Sequence, residues 1–289
     1  MASMRDIKRR KSSIQSTQQI TKAMKLVSTV KLQRSKQHAI DSRDYFSYMY
    51  RTVQSMLAKA GTINHPFVNP SGTGKKAVIM ITGNRGLAGG YNSNVIKLIT
   101  RGELRKEDLI VYTLGRKGRE AMSRYGYELA DDYSDMIDAP EYVDAMRLCA
   151  VLLNSFRSGE ISEIYLAYTR FKNTVVHEPV LMKLLPVEAQ ENETAEETTK
   201  QEVSVPMNFE PREEEALEMI IPKYITSLIY GGMVESVASE NGARMQAMDS
   251  ATSNAAEMID KLTLQYNRVR QGSITQELTE IIAGAEAIS

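Results

Sequence analysis

The sequence lacks several features that mark particular classes of protein. Tryptophan is absent, and Cys149 is the only cysteine among 289 residues, so no internal disulfide can form. The longest apolar run is the six residues 148–153, whereas a membrane-spanning helix needs roughly 20. These absences argue against a disulfide-stabilised fold and against a chain embedded in a membrane.

Residue types that carry chemistry are sparse. The histidines His38, His65 and His177 are widely separated, which does not suggest a zinc site. No serine-histidine-aspartate set, pair of catalytic carboxylates or HExxH-type spacing is evident. We expect Cys149 to be a small apolar residue on a buried helix face, which we favour over a reactive thiol. The sequence therefore gives no support for a catalytic centre, a metal or a cofactor.

Glycine and proline are concentrated in the middle of the chain. Residues 1–60 contain neither, and residues 223–289 contain no proline. Because these two residue types interrupt helices most strongly, each end is predicted to form one long helix. The predicted domains are an N-terminal helix at 1–60, a central domain at 61–211 and a C-terminal helix at 212–289.

Both predicted helices carry apolar residues at helical spacing. In the first helix the stripe is Ile20, Met24, Val27 and Val30. The stripe of the second helix comprises Tyr224, Leu228, Ala251, Ala255, Met258, Leu262, Tyr266 and Val269. Two such helices bury their stripes most simply against each other, which predicts an antiparallel coiled coil. Polar residues such as Thr21 interrupt the stripes, so we expect the supercoil to be loose and irregular.

The central region alternates predicted strands and helices. Strands are predicted at 77–82, 109–114, 127–130, 164–171 and 180–185, and helices at 92–104, 116–125 and 141–158. This alternation predicts a doubly wound, mostly parallel, Rossmann-like α/β domain. The predicted fold class is thus α plus α/β, a long two-helix coiled coil with a central α/β domain. The acidic residues 189–202 are predicted to be a solvated loop.

Two glycine-containing segments have some likeness to phosphate-binding loops. The segment SGTGKK at 71–76 has Asn69 and Lys76 where a phosphate loop needs Gly and Ser or Thr, and it precedes its strand. The segment GNRGLAGG at 83–90 follows a strand, so its backbone amides could hold an anion with help from Arg85. It lacks the GxG step, however, and we favour a tight turn that packs a helix closely on the sheet.

Charge is distributed unevenly although the 36 basic residues balance the 36 acidic ones. Residues 1–60 hold thirteen Lys or Arg against three Asp, a net charge of +10. By composition this region could be a mitochondrial presequence, a nucleic-acid-binding arm or a helix that docks into an acidic collar. The first aromatic residue is Tyr45, so the basic cluster at 8–11 has no aromatic side chain to stack on bases, which argues against nucleic acid.

Four segments closely resemble the gamma subunits of F-type ATP synthases. They are ITKAMKLVSTVKL at 20–32, ITGNRGLAGGYN at 81–92, ASENGARMQAMDSATSNA at 238–255 and YNRVRQGSITQELTEIIAG at 266–284. The resemblance implies a non-catalytic rotor shaft, present in one copy inside a ring of alpha and beta subunits. It also implies contacts with the epsilon subunit and the membrane c-ring, and coupling of proton flow to ATP synthesis through conformational cycling of the beta subunits.

The resemblance implies contact residues as well. Arg270, Gln271 and Thr275 correspond to positions that contact a beta-subunit loop in this family, and Arg268 is a weaker match. Met24 is implied to face an acidic segment of a beta subunit. From the residues alone, all five would be interpreted as solvated or coiled-coil positions.

Two further features follow from the same resemblance. Phe209 and Glu210 lie in a segment similar to the foot that touches the membrane ring and epsilon, although Met207 stands where an aromatic residue is common. Ala88 replaces a cysteine found in some members, so no thiol chemistry is expected there. A match that begins near residue 4, without an inserted cysteine pair, implies no cleaved presequence and a bacterial origin. The expected location is the cytoplasmic face of the plasma membrane, as a peripheral protein.

The sequence thus offers three functions from different classes. We prefer the rotor shaft. The alternatives are a nucleotide-binding enzyme domain with helical extensions, suggested by the loop at 83–90, and a nucleic-acid-bound scaffold, suggested by the basic N-terminal region. We expect no specific binding of nucleic acid.

Overall fold

The computed structural model describes residues 4–59, 66–68, 74–187 and 213–286. The helices in these residues are α1 (Met4–Lys59), α2 (Tyr91–Thr100), α3 (Arg116–Arg124), α4 (Tyr142–Arg157) and α5 (Glu213–Glu286). The strands are β1 (Lys75–Ile81), β2 (Leu109–Leu114), β3 (Glu128–Asp132), β4 (Ile161–Phe171) and β5 (His177–Leu185). All predicted elements of the central domain are present, and their ends differ from the prediction by no more than four residues.

The chain forms two compact units. One comprises Met1–Thr29 with Arg244–Ser289, and the other comprises Val30–Ala243. The division crosses both long helices, so each unit contains a part of α1 and a part of α5. The described helices contain no apolar stretch of the length that a bilayer crossing requires.

The larger unit is built on a five-stranded sheet with the strand order β3-β2-β1-β4-β5. The first four strands are parallel to their neighbours, and β5 pairs with β4 in the antiparallel direction. Parallel strands need crossover connections, which here contain α2, α3 and α4. The predicted mostly parallel α/β domain is confirmed.

The core of this unit lies on both faces of the sheet. Successive side chains of a strand point to opposite faces, and β1 shows this directly. Ala77, Ile79 and Ile81 belong to a buried cluster that includes residues of α4 and α5. Val78 and Met80 belong to a second cluster, with residues of α2 and α3. Full burial of a valine, isoleucine or methionine side chain stabilises the fold by about 1.5–3 kcal/mol.

Helix α5 contains a proline close to its start. Pro222 lies inside the helix, nine residues after its start at Glu213. Proline in a helix interior removes one backbone hydrogen bond and normally kinks or ends the helix. Leu217, Ile221 and Ile225 are buried on either side of Pro222, so packing against the core holds the turns before and after it.

The smaller unit is an antiparallel pair of helical segments. The hydroxyl oxygens of Thr21 on α1 and Thr252 on α5 are 2.8 Å apart. Four residues further along α1, the Lys25 ammonium donates to the Asp249 carboxylate at 2.6 Å. Residue numbers rise along one helix as they fall along the other, so the predicted antiparallel pairing is confirmed.

The face of α1 that is buried repeats every seven residues and is partly polar. Ile7, Thr21 and Ser28 are 3%, 8% and 3% exposed, and Ile14 is half-buried between them. A seven-residue repeat is the pattern of a coiled-coil seam. The hydroxyl pair between Thr21 and Thr252 explains how a polar side chain is accommodated there.

The stripe predicted for α1 is therefore wrong for three of its four residues. Ile20, Val27 and Val30 are 60%, 58% and 52% exposed, and only Met24 is half-buried. In a helix, consecutive residues are rotated by about 100°, so Val27 points well away from Ser28. Between residues 20 and 30 the positions that meet the partner helix are buried although they include Thr21 and Ser28, and the apolar Ile20, Val27 and Val30 face outward.

Candidate functional site

The position where a doubly wound sheet usually binds a ligand is occupied by α5. In this fold class the ligand crevice lies beyond the carboxyl ends of the strands, where successive connections leave in opposite directions. Here that point is between β1 and β4. Gly83 follows β1, and a Cβ atom on it would lie 2.6 Å from a carboxylate oxygen of Glu240 on α5. The crevice is thus filled by the chain itself.

Strand β4 extends past β1 at this edge, and α5 covers the extension. The ladder with β1 ends at Ala167, whereas β4 continues to Phe171. The backbone N–H of Thr169 donates to the Ser236 hydroxyl at 3.3 Å, and the Ser239 hydroxyl donates to the Thr169 carbonyl at 3.2 Å. Side chains of α5 therefore provide the hydrogen bonds that a neighbouring strand would provide.

A third contact continues this pattern by two residues along the strand. The backbone N–H of Phe171 donates to the Glu235 carboxylate at 3.2 Å. Alternate residues of a strand direct their backbone groups to the same side, so Thr169 and Phe171 both face α5. A helix side chain satisfies each of these backbone groups, which would otherwise be buried without a partner.

The loop at 83–90 is held by hydrogen bonds to neighbouring residues. Asn92 accepts from the backbone N–H of Gly83 at 2.8 Å, and Asn84 accepts from the backbone N–H of Arg116 at 2.9 Å. Arg85 is exposed at the tip of the loop. These bonds support the favoured interpretation of a tight turn over that of a phosphate-binding loop.

The lysines of the other glycine-containing segment form ion pairs on β1. Lys75 pairs with Glu128, and the Lys76 ammonium lies 2.7 Å from the Glu163 carboxylate. Gly74 packs against the backbone of the residues before β4, where a Cβ would lie 2.4 Å from the Glu160 carbonyl oxygen. The ammonium groups that would have to meet a phosphate are engaged by carboxylates.

The surroundings of His177 and Cys149 are those of residues that stabilise the fold. No group of three or more potential metal ligands occurs in the described ranges. The His177 ring stacks on Phe171 with the ring centres 5.9 Å apart, and burial lowers its pKa. Cys149 is 2% exposed, its thiol donates to the Pro222 carbonyl at 3.6 Å, and burial raises the pKa of that thiol. A raised pKa disfavours the reactive thiolate.

Four of the predicted contact residues lie close together on α5. Arg268, Arg270, Gln271 and Thr275 are all exposed. The Thr275 hydroxyl donates to the Gln271 carbonyl of its own helix at 2.9 Å, whereas the other three side chains project from the helix. All four lie within about two turns of the helix, with Arg268, Gln271 and Thr275 toward one side and Arg270 directed away from Arg268.

Met24 lies apart from these four residues. It is half-buried on α1, next to Lys25, which pairs with Asp249 of α5. From Asp249 to Arg270 there are 21 residues of continuous helix, a rise of about 30 Å. The predicted contacts at Met24 and Arg270 would therefore reach different parts of any partner.

Phe209 and Glu210, with the neighbouring Met207, lie outside the described residues, as does the acidic segment 189–202.

The last described turns of α5 carry an exposed apolar stripe. Ile274, Leu278, Ile281 and Ile282 are 48%, 55%, 67% and 60% exposed. Thr21 of α1 lies opposite Thr252 of α5, and the two helices run in opposite directions. Met4, the first described residue of α1, therefore lies opposite about residue 270 of α5. Within the described chain, α5 continues beyond that point without α1 beside it.

Sequence reasoning missed the α5 segment 235–242. Its sequence, ESVASENG, has few apolar residues, and a polar segment normally indicates a solvated helix face. Ser236, Ser239, Glu240 and Asn241 are nevertheless buried. The available signal was the run of small residues, which allows backbones to approach closely.

Comparisons with known proteins agree with this architecture. The family model described as ATP synthase matches residues 3–288. The ATP synthase gamma chain of Lachnoclostridium phytofermentans is 60% identical over the whole of both chains. The sodium ion specific ATP synthase gamma chain of Acetobacterium woodii is 43% identical over 99% of each. A similar fold occurs in the rotor of the Euglena gracilis mitochondrial ATP synthase, with a TM-score of 0.66, 18% identity and coverage of 94% of this chain and 98% of that one.

Proposed function

Because this chain belongs to the ATP synthase gamma chain family, we propose that it is the central rotor shaft of a bacterial F-type ATP synthase. In this role the paired helices contact a ring of alpha and beta subunits, and the α/β domain contacts the epsilon subunit and the membrane c-ring. One copy serves each complex, at the cytoplasmic face of the plasma membrane. The chain catalyses nothing itself, and its rotation takes the catalytic beta subunits through their conformations in turn.

The exposed end of α5 is the observation that carries this proposal. Its stripe of large apolar side chains at 274–282 has no covering helix in the described chain. Contiguous exposed apolar residues mark interaction surfaces. The charged residues from 271 to 286 are Glu277, Glu280 and Glu286, so this surface suits an apolar sleeve formed by other subunits.

The asymmetry of the helix pair supports the proposed mechanism. Ile20, Leu26 and Val27 are exposed on α1, whereas the seam side of that helix faces α5. The outward surface of α1 is therefore uneven, with these apolar side chains exposed beside charged ones such as Lys22, and a turning shaft presents different side chains to each neighbour. Contacts shift a conformational equilibrium only by the difference in free energy that they make with each state, and a symmetric rod would make no such difference.

The predicted contact residues fit this proposal. Arg270, Gln271 and Thr275 are exposed near the end of α5, where their side chains are available to a beta-subunit loop. Arg268 is exposed within the same two turns of α5, and Met24 would meet a different part of the ring. Coupling to protons stays a prediction, because the 43% identical relative from Acetobacterium woodii is sodium ion specific.

Reconstitution tests the proposed function. The purified chain is mixed with the alpha and beta subunits of its own complex, and ATP hydrolysis is measured with and without it. We expect stable assembly and restored hydrolysis, and no hydrolysis by this chain alone. A variant that ends after Arg270 should bind the ring less tightly, since it lacks the exposed stripe. Failure of the full chain to assemble would defeat the proposal.

The nucleotide-binding alternative has lost its structural motivation. The crevice that would hold a nucleotide contains Glu240 and Ser236 of α5, and the loop at 83–90 is held by neighbouring side chains. Calorimetric titration of the isolated chain with ATP or NAD should therefore show no binding. Saturable heat with either compound would restore this alternative.

A further inference from the structure

At both ends of residues 232–242, the backbone of α5 lies closer to the sheet than a residue with a Cβ atom would allow. A Cβ on Gly232 would be 2.9 Å from the Leu166 side chain of β4. A Cβ on Gly242, ten residues later, would be 2.8 Å from the His177 ring at the start of β5. Glycine at both ends lets the helix backbone approach the sheet, so the polar side chains between them reach the strand backbone.

The hydrogen bonds made by the side chains of this segment join α5 to the backbone of β4. Ser236 accepts a hydrogen bond from the N–H of Thr169, and Ser239 donates one to its carbonyl. Glu235 accepts a hydrogen bond from the N–H of Phe171. Strand backbone is fixed by its own ladder, here to β5. The hydrogen-bond partner of all three side chains is therefore strand backbone, which is held more firmly than another side chain would be.

Hydrogen bonds of this kind resist rotation of the helix about its axis. Apolar contacts are non-directional, whereas hydrogen bonds weaken steeply when the angle at the hydrogen falls. A side-chain oxygen lies about 4.5 Å from the helix axis, so a rotation of about 20° moves it by about 1.5 Å. That movement would break contacts that are 3.2–3.3 Å long at rest.

We propose that Glu235, Ser236 and Ser239 form a torque-bearing joint that fixes the rotational position of α5 on the sheet. This inference rests on the proposed rotor function, because only a rotor needs its shaft helix to turn together with its α/β domain. The three residues are positioning residues, which hold α5 at one angle to the strands. Twist applied to the α/β domain then passes into α5 with little loss.

The test replaces the two hydroxyls and measures angular stiffness. The variant carries Ser236→Ala and Ser239→Ala, which keep small side chains and suit a helix. Ser227→Ala is the matched control, since Ser227 is buried on the same helix but its hydroxyl bonds the Lys223 carbonyl of that helix. The full chain is assembled with immobilised alpha and beta subunits. A bead is attached at a cysteine replacing exposed Tyr125, and angular fluctuation is recorded while nucleotide holds the ring in one state.

We expect the variance of the bead angle to be about twofold larger in the double variant than in the parent, and unchanged in the Ser227→Ala control. Hydrogen exchange on the unassembled full chain gives an independent measurement. The Thr169 amide should exchange about tenfold faster with Ser236→Ala and at the parent rate with Ser227→Ala.

The outcomes separate the joint from the proposed function. Unchanged exchange at Thr169 would show that the contact does not protect this amide and would overturn the joint. Faster exchange with an unchanged bead variance would overturn its role in bearing torque, while the rotor function stands. A parent chain that does not assemble with alpha and beta would overturn the rotor function and the joint together.

Discussion

Gly115, which follows β2, shows how a single residue is determined by its neighbours at the carboxyl edge of the sheet. Its φ is +125°, and a Cβ on it would lie 2.0 Å from the carbonyl oxygen of Thr82. The Thr82 side chain in turn accepts a bond from the Gly118 N–H at 2.9 Å, so the threonine cannot move aside. Only glycine fits this position.

Gly115→Ala should therefore destabilise the fold by about 3 kcal/mol or more, through backbone strain and a clash. The control is Gly86→Ala, because a Cβ on Gly86 would meet nothing within 4 Å, and its cost should be below about 0.5 kcal/mol. Urea unfolding of both variants measures the difference. Equal losses of stability would contradict the expectation.

His177 is a buried titratable residue with a predictable effect on stability. Both ring nitrogens are buried without a hydrogen-bond partner among the described residues, and burial lowers the pKa of the ring below its ordinary 6.5. A lowered pKa means that the unfolded chain binds the proton more readily. The stabilising effect is thus complete above pH 6.5 and is lost as the pH falls through the folded value.

The variant His177→Phe should lose less stability than the parent when the pH is lowered from 7.5 to 5. Phenylalanine keeps a flat ring against Phe171 but cannot bind a proton. Chemical unfolding at several pH values measures both chains, and the carboxylates titrate in both, so the difference isolates this residue. Parallel stability curves would refute the argument.

A substitution at Arg270 tests whether this exposed residue contacts a partner subunit. Its side chain is exposed near the end of α5, and substitutions at such positions rarely change folding by more than about 0.5 kcal/mol. Arg270→Glu should leave the melting temperature of the isolated chain nearly unchanged. In the assembled complex it should lower ATP-driven ion pumping several-fold relative to ATP hydrolysis. A comparable loss of stability in the isolated chain would identify the residue as structural.

At the scale of elements, α1 shows that the spacing of apolar residues in a helix does not by itself identify the face that packs against a partner helix. Between residues 20 and 30 the buried face of this helix includes polar residues, whereas neighbouring apolar side chains are exposed. Ser28 is 3% exposed, whereas the adjacent Val27 is 58% exposed. Choosing the most apolar residues of this stretch, as our prediction did, therefore identifies the wrong face there.

Aspartate substitutions measure this choice of face. Ser28→Asp should destabilise the chain by about 2 kcal/mol, because it places a charge in the buried seam. Val27→Asp should change the stability of the isolated chain by less than about 0.5 kcal/mol. Thermal unfolding followed by circular dichroism compares them. If Val27→Asp proved the more damaging substitution, the assignment of the seam would be wrong.

At the scale of the whole molecule, the net charge of zero conceals a basic N-terminal region. The exposed basic residues in the described part of α1 are Arg5, Lys8, Arg9, Arg10, Lys22, Lys31, Arg34 and Lys36. Surface charge of one sign accelerates association with an oppositely charged partner. We expect this region to draw the shaft toward acidic surfaces of the beta subunits before assembly is complete.

The rate of assembly with alpha and beta subunits should therefore fall about tenfold between 0.05 and 0.5 M salt, because screening shortens the range of the attraction. Stopped-flow mixing measures this rate. The dissociation rate should change much less, since it depends on buried contacts. An association rate that is independent of salt would count against electrostatic guidance.

The elements of the fold and the family could be predicted from the sequence because their signals are local. The absence of glycine and proline from residues 1–60 indicates a long helix, and the apolar run at 77–82 indicates a buried strand. These patterns need no knowledge of the rest of the chain. The same holds for Cys149, whose apolar neighbours predict the buried position that it occupies.

The tertiary structure alone decided which surfaces meet. The burial of Thr21 depends on a hydroxyl 231 residues away, on Thr252. The crevice between β1 and β4 is filled by Ser236 and Glu240, which belong to a helix at the other end of the chain. Local sequence determines what a segment can become, because helix and strand preferences act over a few residues. It does not determine which polar groups will satisfy one another, because that requires the distant partner to be in place.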